Sequence, residues 1–97
     1  MSAGPARYRK KPLAVEAVQA TEDPAQAQAI ITWVRSNGGV AQVEGYGENL
    51  VTGSVTTLEG DMAWGPGDWI IRGVAGEFYP CKAAIFAASY EPADDTL

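Results

Sequence analysis

One segment constrains the fold more than any other. Asp23-Pro24 opens it and Asn37-Gly38-Gly39 closes it. Aspartate is a favoured N-cap, proline fits the first helical position, and Gln26 completes a capping-box pattern three residues after Asp23. Between these ends Ala27, Ile30, Ile31 and Val34 recur at three- and four-residue spacing, which aligns them on one helical face. Trp33 borders that face. Asn-Gly-Gly supplies the left-handed residue at which helices stop. The spacing predicts a helix over residues 24–36, with an apolar stripe that needs another layer to cover it.

The other segments read as strands. Residues 13–20 are apolar on both faces, as in a central strand. Residues 40–44 alternate, residues 45–49 form a loop or tight hairpin, and residues 50–58 are rich in Val and Thr, with Gly53 as a bulge or turn. Glu59-Gly60-Asp61 is a turn and residues 62–64 a short strand. Gly65-Pro66-Gly67-Asp68 is a strong turn, because proline fixes φ and glycine permits φ > 0. Residues 69–74 form a strand, and residues 77–79 run back antiparallel to it. Pro80 puts that strand at an edge or ends it. Residues 82–88 read as a short helical turn, and residues 89–91 as extended. The expected fold is α+β: one helix packed on a curled, mainly antiparallel sheet of five to six short strands.

Ninety-seven residues make one domain. Residues 1–8 read as a disordered segment, 9–91 as the single α+β domain, and 92–97 as an acidic tail. With 12 acidic and 7 basic residues the net charge is −5, which argues against generic nucleic-acid binding. Arg7, Arg9, Lys10 and Lys11 nevertheless form a basic run. It serves either as a solvated tail or as a small anion-binding patch. No apolar run approaches a membrane span, and the lone Cys81 cannot form an internal disulfide. A cytoplasmic protein follows as the default.

The chain contains no histidine, so the commonest general base and metal ligand are missing. One cysteine does not make a zinc site. Gly65-Pro66-Gly67-Asp68 lacks the lysine and the helix start of a phosphate cradle. Glu59, Asp61, Asp68 and Glu77 fall near turns, where carboxylates solvate and cap the backbone; a hard cation would be sought there first. Cys81, beside Lys82, reads as a small buried hydrophobe. The expectation is no enzyme, no cofactor and no metal.

Aromatic and cationic residues concentrate in the C-terminal third. The candidate binding residues are Trp64, Trp69, Arg72, Phe78, Tyr79 and Lys82. Alternation puts Trp69 and Ile71 on one face of their strand and Ile70 and Arg72 on the other. Two readings stand: the rings fill the core of a small domain, or they form a contact surface. If Trp69 is core, Trp69→Ala costs about 3–5 kcal/mol.

Thr57-Leu-Glu-Gly-Asp-Met62, Pro66-Gly-Asp-Trp-Ile-Ile-Arg-Gly-Val74, Gly76-Glu-Phe-Tyr-Pro-Cys-Lys82, Ile85-Phe86 and Ser89-Tyr-Glu91 together resemble a family of small uncharacterised proteins of tailed bacteriophages. The opening Tyr8-Arg-Lys-Lys-Pro12 and Val15-Glu-Ala-Val-Gln19 are similar to that family's start. Ala83-Ala84 departs from the Pro-Asp common there. The resemblance implies phage origin and expression in the host cytoplasm, and no activity.

The expected function is therefore a phage accessory protein that binds a host or phage protein and interferes with host growth or defence. Two alternatives stand beside it. One is a nucleotide sponge, using Arg9, Lys10, Lys11, Arg72 and Lys82 with Trp69 or Tyr79 as a stacking surface. The other is a structural or assembly component of the phage. Free sheet edges also admit a homo-oligomer.

Overall fold

The computed structural model describes residues 4–47 and 50–93. Parts of the expected disordered start (residues 1–3), the hairpin tip (48–49) and most of the acidic tail (94–97) lie outside the described residues. The helix α1 spans Pro24–Ser36, as its sequence dictates. The Asp23 carboxylate accepts from the Ala25 N–H at 2.9 Å. At the other end Gly38 adopts φ 84°. The Gly38 and Gly39 N–H groups then donate to the Arg35 and Val34 carbonyls, closing the last turn. The capping-box expectation fails in one detail: the Gln26 side chain donates to the Gln19 carbonyl at 2.9 Å, not to the N-cap.

The strands are β1 (Glu16–Gln19), β2 (Ala41–Gly47), β3 (Leu50–Thr57), β4 (Gly60–Trp64), β5 (Trp69–Arg72) and β6 (Phe78–Cys81). A second helix, α2, spans Ala83–Ser89. The α+β class holds, but the single curled sheet does not. Two antiparallel three-stranded sheets form, ordered β1-β5-β6 and β2-β3-β4. The division falls at the Gly65–Asp68 turn. The Gly67 N–H donates to the Ala20 carbonyl and the Ala20 N–H to the Asp68 carbonyl, both at 2.8 Å. The turn is thus tied to the end of β1, and β5 pairs with β1 instead of continuing the β4 hairpin. Strand β1 is shorter than the 13–20 expectation and lies at a sheet edge, not in the centre. Its mixed apolar faces reflect a sheet covered on both sides.

The core lies between α1, the inner face of β2-β3-β4 and one face of β5-β6. Ile30, Val34, Val51, Val55, Trp64 and Ile70 are buried there. Trp33 meets Phe78 edge-on, with centroids 5.2 Å apart. The outer face of β2-β3-β4 is polar. Glu44 accepts from the Gln42 amide at 2.9 Å and the Ser54 hydroxyl at 2.7 Å, and these bonds lower its pKa below the ordinary glutamate value. The bulge expected at Gly53 sits instead on the partner strand, where the register shifts between Val43 and Gly45.

Gly53 has a different role. It pairs with Val43 on one side and Trp64 on the other. A Cβ added there would collide with the Trp64 indole and come within 2.6 Å of the Gln42 carbonyl oxygen. The bare backbone makes room for the largest ring of the core. Gly53→Ala should therefore lower stability by about 1–3 kcal/mol through overpacking, measured as an earlier urea midpoint. A midpoint equal to that of the wild type would show that the ring has room to shift.

Candidate functional site

The structure separates the six candidate residues. Trp64 and Phe78 are 2% and 3% exposed, so they are core residues and present no contact surface. Their strand positions put them under α1 and β3, which sequence alternation alone does not reveal. Arg72 is half-buried on the face of β5 opposite Trp69. Its guanidinium meets Glu16 at 3.2 Å across the β1–β5 pair. The expected pairing of Arg72 with an exposed ring does not occur.

Trp69 and Tyr79 share the other face of β1-β5-β6, while Lys82, just past β6, reaches Asp68 instead. Register places Trp69 opposite Cys81 and Ile71 opposite Tyr79, so these side chains share one face. Helix α2 lies over it. Phe86 stacks on Trp69 with centroids 4.1 Å apart and planes 8° from parallel, and Tyr90 continues the stack at 4.9 Å. The Lys10 ammonium sits 5.3 Å from the centroid of the Tyr90 ring, within cation–π range. Phe86 and Tyr90 belong to the aromatic cluster read from the sequence but are not among the binding residues singled out from it. Their i,i+4 spacing was the available signal, since it places both on one side of a helix.

The stack is partly covered and leaves α2 itself unburied. The segment Ala-Ala-Ile-Phe-Ala-Ala-Ser contains no buried residue, and Ile85 is 59% exposed. Trp69 is only half-buried, so Trp69→Ala costs less than the full-burial figure expected from sequence. Lys82 stands at the start of α2 and reaches Asp68 at 3.3 Å. That carboxylate is buried and also accepts from the Gly65 N–H at 3.0 Å. Arg72 and Lys82, expected as phosphate contacts, therefore already hold carboxylates. The Phe86 ring is already stacked with both Trp69 and Tyr90.

Tyr79 lies beneath Tyr90, with their hydroxyls 3.4 Å apart. Burial, and then the Tyr90 hydrogen bond, push the Tyr79 phenol well above the ordinary tyrosine range. Cys81 is half-buried and free. Among the described residues no group of three or more His, Cys, Asp or Glu side chains comes together to hold a metal ion. No helix among them is long and apolar enough to cross a membrane. Surface hollows lie beside Glu22 and Pro66 and beside Glu16 and Arg72, and no α2 residue lines either of these. No family model matches the chain, and no curated protein or solved structure matches it either.

The Tyr79 shift has a definite consequence at high pH. Folding holds this phenol neutral, so the unfolded chain releases the proton first. Its stabilising contribution is intact below about pH 10 and is lost as pH rises above that value toward the folded pKa. Spectrophotometric titration of tyrosinate should show one tyrosine ionising only near alkaline unfolding. Tyr90→Phe should bring that ionisation down while leaving it above normal, because burial persists. A tyrosine titration that is uniform and unshifted would refute the arrangement.

Proposed function

We propose that the protein binds another protein through α2 and the ring stack beneath it. The observation that carries this reading is an apolar helix with none of its residues buried. Ala and Ile side chains left in water beside half-exposed Trp69, Phe86 and Tyr90 form the kind of surface that partner binding covers. Lys10, whose ammonium lies by the Tyr90 ring, edges this surface, although the chain as a whole carries −5. The fitting partner is a protein with an apolar centre and a carboxylate rim. The C-terminal motifs' resemblance to tailed-phage proteins supports placing this activity in a phage accessory factor. In that setting it acts in the host cytoplasm on a host or phage protein.

Ile85 supplies the test. It occupies the third position of α2, where an acidic side chain suits the helix dipole, so Ile85→Asp should fold normally. Leu58 is 84% exposed on the β3–β4 turn and serves as the control. In affinity capture from host lysate, wild type and Leu58→Asp should retain a common partner that Ile85→Asp loses at least ~10-fold. Capture of the same proteins by all three baits would reject the surface. Heat of binding to a nucleotide that survives Ile85→Asp would favour the ligand reading instead.

A further inference from the structure

We propose that the run before β1 binds single-stranded nucleic acid without sequence preference, with Arg7, Arg9 and Lys11 on the phosphates and Tyr8 on a base. This proposal is independent of the α2 surface. It starts from how the charge is distributed. A net −5 counts against a basic face only where the two signs are mixed, and here they are segregated. Four of the 7 basic residues lie between Arg7 and Lys11, and no acidic residue falls before Glu16. Arg35, Arg72 and Lys82 alone offset the 12 carboxylates that follow.

The run does not fold back onto those carboxylates. The ion pairs among the described residues are Arg72–Glu16 and Lys82–Asp68, and neither uses it. Arg7, Arg9, Lys10 and Lys11 are all exposed. Tyr8 is 94% exposed, and no aromatic contact among the described residues includes it. Two points hold the run to the domain without neutralising it. The Lys10 ammonium rests over the Tyr90 ring at 5.3 Å, and a ring quadrupole leaves the charge in place. Glu91, next to Tyr90, does not pair with it. The Leu13 N–H donates to the Lys11 carbonyl at 2.8 Å, a three-residue turn at Pro12 that sets where the run departs from the path into β1.

The ligand class follows from what alternates. Drawn out along a ligand, residues two apart point the same way at a spacing of ~6.6 Å, so Arg7, Arg9 and Lys11 line one side. That step is close to the one between successive phosphates of an extended strand, and guanidinium and ammonium groups are phosphate donors. Tyr8 lies between two of these cations with its ring open, and stacking uses such a ring whatever the base. A lipid surface fits less well. Residues 4–14 contain no helix, hence no amphipathic face to lie in a bilayer interface. An acidic polypeptide matches the cations but repeats no flat ring beside each charge.

Fluorescence anisotropy over a salt series tests it, with a labelled oligothymidylate of about 12 nucleotides and the matching oligouridylate. Wild type should bind with a dissociation constant of about 10⁻⁴ M at physiological salt. Log affinity should fall against log salt with a slope of about −2, the value for three phosphates of a single strand. Binding of both oligomers supports the shared backbone and bases as the ligand; binding of one alone supports the proposal and names the source as DNA or RNA. Arg7→Ala combined with Arg9→Ala should weaken binding at least ~10-fold and bring the slope to about −1. Tyr8→Ala should weaken it at least ~5-fold with the slope unchanged, and Tyr8→Trp should retain it. All three positions are exposed, so these variants should fold as wild type does, and Ile85→Asp should bind unchanged. No binding at low salt overturns the proposal. So does a Tyr8→Ala variant that binds as wild type does. Polyglutamate or phosphatidylserine vesicles bound as tightly as the oligomers also overturn it, in favour of an acidic protein or a membrane.

Discussion

The Gly65–Asp68 turn decides how this chain divides its strands. Its backbone is bonded to Ala20 on both sides, through Gly67 and Asp68, so the end of β1 and the start of β5 are fixed together. The Asp68 side chain holds the same turn from within. A buried carboxylate is costly unless its oxygens are bonded, and here Gly65 N–H and Lys82 ammonium share one oxygen. The Lys82 link extends the constraint to the first residue before α2. One turn therefore sets the separation of the two sheets, the pairing of β1 with β5, and the place where the second helix begins.

The two sheets then meet solvent differently. In β2-β3-β4, the outer face carries Gln42, Glu44, Ser54, Thr56 and Asp61, bonded to one another across strands. That face is satisfied by its own hydrogen bonds and by water. In β1-β5-β6, Ile70 and Phe78 face the core, while Trp69 and Tyr79 face outward beneath α2. Ile71 shares the α2 side and is fully buried. A seven-residue helix is too short to seal such a layer, and it leaves apolar surface on its own outer side. The sheet that needs two covers has one good cover and one partial one.

How much of this was legible in the sequence depends on the range of the interaction. Helix α1 was readable to the residue because Asp23, the Ile30–Val34 stripe and Gly38 act within a few positions of one another. The strand segments were readable for the same reason. Their grouping was not, because nothing local distinguishes a turn that closes a hairpin from one bonded to Ala20. The rings were equally ambiguous. Trp64 and Trp69 lie five residues apart in a similar setting, yet one faces the Gly53 gap in the core and the other faces Phe86. The deciding partner in each case is distant in sequence. Gly53 was noticed and misread: an isolated strand glycine signals either a bulge or a close approach, and here the approaching group is an indole.

The unfinished side of the molecule is concentrated in a single sheet. The unburied α2 lies over one face of β1-β5-β6. The outer face of β2-β3-β4 carries a polar hydrogen-bonded network instead. A small domain with a limited core gains from burying any apolar group it can. Leaving Ile85 exposed on this side, while the outer face of β2-β3-β4 satisfies its own polar groups, concentrates uncovered apolar surface on one side of the molecule.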